Sequence, residues 1–201
     1  MKPLQLVLGF LPLIAFSLLA RLLPSHDFGV AALLSAAVAV IAMVAHRPIW
    51  PPMLLTAASL VIFIVLAVVG FTAGAGDDRW AATWLAPAFA VIIGLIILVL
   101  IPVMPFTEQY ARQSTPQQYW SSPTFKRINH VLSAAWGAAT VVIGVSRVVA
   151  AIIKDRPGHH TVLELVFSAV IPVAILIYML KFSKSYPDRV THEQAQAPAS
   201  P

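Results

Sequence analysis

The chain contains no cysteine, which excludes a disulfide framework, a thiolate metal site and a cysteine nucleophile. Charge is scarce too: Asp, Glu, Lys and Arg make up 10% of the 201 residues, against about 25% in an ordinary soluble domain. No nucleotide-binding loop, zinc-protease helix or serine nucleophile elbow occurs. No histidine falls well inside an apolar block, so paired axial ligands for haem are missing. The short alternating segments of a transmembrane barrel are also absent.

What is present is hydrocarbon in long blocks. Hydrophobic residues form 59% of the chain, and several blocks approach or exceed the roughly 20 residues that a helix needs to cross about 30 Å of hydrocarbon. The pattern predicts an all-α, polytopic transmembrane helical bundle with six spans, at about 4–23, 28–45, 53–72, 81–101, 131–153 and 162–180. These belong to one transmembrane domain over 1–184, followed at 185–201 by a polar flexible tail ending QAQAPASP, a composition that need not fold. The first block has the basic start and apolar run of a signal peptide, but the run is long and no clean small-residue cleavage site follows, so it reads as a retained first helix. Pro12 interrupts that block, the second is rich in alanine, and PIWPP, GAGDDR, IPVMP and KDRPGHH mark connections.

The net charge of +5 and pI near 9.9 reflect 13 Lys and Arg against 8 Asp and Glu, with every basic residue but Arg147 scattered over connections and ends. With no basic stripe, nucleic acid is not an expected partner; topogenic charge is the simpler account. An N-terminus on the cytoplasmic side would put Lys2, Arg47, Arg112, Lys126, Arg127, Lys181, Lys184 and Arg189 inside, and Arg21, Arg79, Lys154 and Arg156 outside. Eight against four predicts both termini in the cytoplasm. The longest connection, 102–130, is then cytoplasmic and interfacial, with Tyr110, Arg112, Tyr119, Trp120, Lys126, Arg127 and His130 as headgroup-layer anchors, part of it as a short amphipathic helix on the surface.

Arg147 is the residue singled out by cost. It stands within the fifth block, about two helical turns before Lys154, and an arginine there must snorkel, pair or face a cavity. Helical spacing brings Asn129, Ser133, Trp136, Thr140, Gly144, Arg147 and Ala151 near one face, small and polar enough to point into the bundle. Two readings follow. In one, the stripe is a packing seam and Arg147 snorkels or pairs with Glu164, Asp155 or Asp77. In the other, it lines a cavity where Arg147 meets a carboxylate, a phosphate headgroup or another lipid-borne anion, with Glu164 directed elsewhere. Asp77 and Asp78 read as a solvated turn. His46 and His130 flank spans on one side, and His159 and His160 are adjacent, but none has metal-ligand spacing, so no metal and no cofactor is expected.

Two motifs carry a family resemblance. Phe10, Leu11, Pro12 and Leu13, followed by Phe16, match an opening phenylalanine-leucine-proline-leucine signature. Trp120, Pro123, Phe125, Arg127, Asn129 and Trp136 match a later pattern in which a tryptophan precedes a span with an asparagine-to-tryptophan spacing. In that order they resemble the intracellular septation protein A family of bacterial inner-membrane proteins. The resemblance implies a multi-pass protein of the bacterial inner membrane, acting in septation or envelope maintenance through other envelope or division proteins, with no enzymatic reaction to carry over. The expected function is a non-enzymatic scaffold or lipid-interacting protein. A small-solute or lipid transporter or channel, with an anion-binding cavity near Arg147, is the alternative, and a lipid-directed enzyme comes third. Partners are membrane lipids, and the small-residue faces suit either intramolecular packing or a homo-oligomer.

Overall fold

The computed structural model describes residues 3–24, 27–45, 54–72, 80–156, 158 and 161–196, and among them every regular element is helical. α1 covers Pro3–Leu22, α2 Phe28–Ala45 and α3 Leu54–Thr72. A π-helical turn at Ala81–Leu85 leads into α4, Ala86–Leu100. A short α5, Phe106–Arg112, and one 3-10 turn, Gln117–Tyr119, precede the long α6, Pro123–Lys154. The last helix, α7, starts as Thr161–Leu165, widens into a π-turn at Val166–Val170 and continues as Ile171–Gln196.

Five stretches are long and apolar enough to cross a bilayer: Phe28–Ala45, Leu54–Thr72, Thr83–Leu100, Pro123–Lys154 and Thr161–His192. The protein is therefore an all-α, multi-pass membrane bundle. α1 is a helix of 20 residues, and its described side chains include the apolar stretch Gly9–Ala20. Pro12 sits inside α1 and is fully buried, where neighbouring helices rather than lipid surround the break in its hydrogen-bond ladder.

Close packing follows from small residues. α2 and α3 form a hairpin in which Ala31, Ser35, Ala39 and Ala42 bury one face of α2. At one end of the hairpin Gly29 and Gly70 touch: a Cβ on Gly70 would lie 2.5 Å from the Gly29 Cα. Ser35 and Ser59 donate back to the carbonyls of Ala31 and Leu55, both at 2.7 Å, so neither buried hydroxyl is unsatisfied. α4 lies along α6 in the same way, with Gly94 and Gly137 at the crossing and a Cβ on Gly144 only 2.7 Å from the Val91 nitrogen. α1 packs on the α2–α3 hairpin, and α7 packs on α6.

Two boundaries and one placement differ from the sequence expectation. α6 begins at Pro123, not near 131, because Ser122 caps it, accepting from Phe125 N at 3.2 Å, and Pro123 occupies the first turn. Lys126, Arg127 and His130 thus stand on the first turns of a helix, not in a loop. α7 runs past Lys184 to Gln196, so the residues read as a flexible tail from 185 are helical that far. Extending an existing helix costs far less than nucleating one, and Val190 still finds a buried place. Finally, α5 does not lie on the surface; it is tucked into the bundle, with Phe106, Thr107, Glu108, Tyr110 and Ala111 buried.

Candidate functional site

α5 ties one end of the bundle together. The Gln109 Oε1 accepts from the first backbone N–H of α3, at Leu54, at 2.8 Å. Thr107 Oγ1 donates to the Asn129 carbonyl at 2.9 Å, and its backbone N–H donates to Ser133 Oγ at 3.2 Å. Asn129 Nδ2 in turn donates to the Phe125 carbonyl at 2.8 Å. The Tyr110 ring fills the space left by Gly9 of α1, and its hydroxyl lies against Thr56 of α3. Burial pushes the Tyr110 phenol up from 10.0 to about 12, so it stays neutral at physiological pH. Phe10 stacks on Trp136 with centroids 4.6 Å apart and meets Phe106 edge-on at 6.2 Å. Trp136 Nε1 donates to Ser183 Oγ of α7 at 2.9 Å.

The stripe on α6 does face the bundle, yet it serves three purposes along its length. Asn129 and Ser133 belong to the polar knot with α5. Gly144 is occupied by the α4 backbone. Between and beyond them, Trp136, Thr140 and Arg147 line a partly open cavity of about 340 Å³ bordered by α1, α3, α4, α6 and α7. Its walls are hydrocarbon: Phe10, Ile14, Phe63, Phe89, Ile93 and Leu176 are representative, and Ser17, Thr140, Arg147 and Ser168 supply the few polar groups.

A second cavity, about 490 Å³, adjoins the first toward the far ends of α1 and α6. It is lined by Arg147, Lys154 and Glu164, with Thr83, Thr161 and Ser168 at hydroxyl-bearing positions. Ala86, Arg147 and Ser168 line both spaces, so Arg147 stands at the boundary between a hydrocarbon compartment and a charged one. The Arg147 guanidinium reaches from α6 to α1, where Nη1 donates to Ser17 Oγ at 3.1 Å. Glu164 borders the same charged compartment from the first turns of α7.

Both π-turns border this boundary, and each precedes a proline. In α7 the Ile171 N–H bonds the Val166 carbonyl, five residues back. Pro172 has no N–H to continue that pattern, and the Phe167 carbonyl accepts the Ser146 hydroxyl of α6 at 2.6 Å instead. The wider turn brings Ser168 to the cavity wall. The π-turn before α4 places Thr83 on the charged compartment, four residues before Pro87. π-turns inside α-helices are frequent at functional sites. A hydroxyl residue four positions before a proline, at Thr83 and Ser168, is the sequence signal that marks these two lining residues, and neither is among the expected ones. Ser17, a lone hydroxyl in an apolar block, is a third.

Among the interfacial candidates, Tyr110 is fully buried and has no access to headgroups. Arg112, Tyr119, Lys126 and Arg127 are exposed, and Trp120 and His130 are half-buried. Arg112 pairs with Glu108 through Nε at 3.0 Å and lies over the Trp120 ring at 4.9 Å. An aromatic ladder on α7, Tyr178–Phe182–Tyr186, with ring centroids 6.1 and 5.2 Å apart, adds ring surface that the sequence pattern does not single out. No group of three or more metal-ligating side chains occurs among the described residues; His46, Asp77, Asp78, His159 and His160 lie outside them. Asp155, one candidate partner for Arg147, is an exposed residue at the end of α6.

No protein-family model matches the chain, and neither a curated protein nor a solved structure does.

Proposed function

We propose that the chain is a lipid-interacting protein of the bacterial inner membrane that holds a membrane amphiphile inside its bundle, with Arg147 at the junction of head and chain. The observation that carries this reading is the adjacency of the two cavities at one cation. A hydrocarbon compartment alone would suit any apolar molecule, and a charged one alone any ion. Joined at Arg147, they suit a molecule that is apolar at one end and anionic at the other.

The cellular setting, septation or envelope maintenance beside other membrane proteins, rests on the ordered resemblance at Phe10–Leu13 and Trp120–Trp136. The six-span topology with both termini cytoplasmic rests on the charge distribution together with the placement of α1. Gly9 of α1 meets α5 at one end of the bundle while Ser17 meets Arg147 further along it, an extent that supports counting α1 as a sixth span. Movement of a lipid or small anion along this path is the second reading, favoured by the chain of polar groups from Ser17 through Arg147 to Lys154.

Mass spectrometry of the protein extracted directly into native lipid discs tests the proposal. A defined lipid should co-purify with the wild type and be depleted in Arg147→Ala. An identical lipid profile in the two proteins would sink Arg147 as a ligand anchor and leave a purely structural scaffold ahead.

A further inference from the structure

Arg147 and Lys154 are seven residues apart on α6, two turns or about 10 Å along the axis, and therefore on one face. Between them Ala150 and Ala151 are buried and small, which leaves the hollow open. Glu164 borders the same space from α7, and Thr83 and Thr161 bring hydroxyls to its wall. By formal charge, the described residues that line the compartment contribute two positive groups and one negative, a surplus of one.

We infer that the head held here is a monoanionic phosphodiester bearing a hydroxylated substituent, the chemistry of a phosphatidylglycerol headgroup. This rests on the lipid-binding reading and narrows it. One negative charge on the phosphodiester balances the surplus, with its oxygens toward Arg147 and Lys154. The substituent's hydroxyls donate to the Glu164 carboxylate and exchange hydrogen bonds with Thr83 and Thr161. A phosphate monoester, with up to two negative charges, would meet repulsion from Glu164. A phosphodiester that also carries an ammonium is neutral overall and leaves the surplus uncompensated. The adjoining hydrocarbon compartment receives the chain below Arg147.

The test uses the full chain in discs of phosphatidylcholine doped with phosphatidylglycerol, phosphatidylethanolamine or phosphatidic acid, with retained lipid read by native mass spectrometry. The wild type should retain phosphatidylglycerol over phosphatidylethanolamine by at least about tenfold, the factor that 1.4 kcal/mol represents. Arg147→Gln and Lys154→Gln should each remove most of that preference; Lys154 is exposed at the helix end, so its variant separates head recognition from folding. Glu164→Gln removes the negative wall and should shift the ratio of phosphatidic acid to phosphatidylglycerol upward by about tenfold. Retention of all lipids without head preference, or an unchanged ratio in Glu164→Gln, overturns this inference while the lipid-binding reading stands. Retention of none of them overturns both.

Discussion

At the scale of single residues, several polar groups inside the bundle are held by partners on other helices. Ser146 is the sharpest case, since its hydroxyl replaces the bond that Pro172 withholds from the Phe167 carbonyl. Ser146→Ala should leave that carbonyl unsatisfied and lower stability by about 1–2 kcal/mol, seen as a fall in Tm in lipid discs. An unchanged Tm would show that water or a backbone rearrangement serves equally well. Arg147 is legible in the sequence as the costly residue in an apolar block, and its inward face follows from helical spacing. Its partner Ser17 is not legible, because a serine 130 positions away has no local signature. Tyr110 illustrates the opposite failure. Its aromatic and basic neighbours suggest a headgroup anchor, whereas the ring fills the gap that Gly9 leaves on α1. That pairing depends on tertiary placement alone.

At the scale of elements, the glycine seam sets how closely α4 and α6 approach, and residues of both helices line the two cavities. A side chain at Gly144 would collide with the Val91 backbone and side chain and with the Pro87 carbonyl, all within 3.1 Å of its Cβ. Gly144→Val should therefore push α4 away and cost about 1–3 kcal/mol, with retained lipid falling in parallel because Pro87 and Val91 adjoin the cavity-lining residues Ala86 and Ala90. Stability loss with full lipid retention would place the cavity walls elsewhere. The helices that cross the bilayer are readable because about 20 apolar residues leave few alternatives. Their ends are harder to read. The start of α6 at Pro123 is written in Ser122 and Pro123, a cap signal masked by the polar residues that follow. The extension of α7 to Gln196 depends on propagation from the span before it, which composition does not report. The burial of α5 requires a slot between α1, α3 and α6 that no single segment encodes.

At the scale of the whole molecule, the absence of cysteine makes topology directly measurable. Ser114, Asp155 and Thr191 are exposed positions near the ends of the spans. Single cysteines introduced at Ser114 and Thr191 should react with a membrane-impermeant maleimide only after the cytoplasmic face is opened, and one at Asp155 should react in intact cells. The reverse pattern would invert the bundle and place the charged compartment at the cytoplasmic face. Occupation of the interior by a membrane amphiphile is open to photocrosslinking. A diacyl lipid with a photoreactive group in its chain, incorporated into discs with the wild-type protein, should label peptides at Ile14, Phe89 and Leu176 as well as the outward faces. Label confined to outward-facing positions such as Val61, Val99 and Ile177 would contradict the account and leave the cavity empty of lipid.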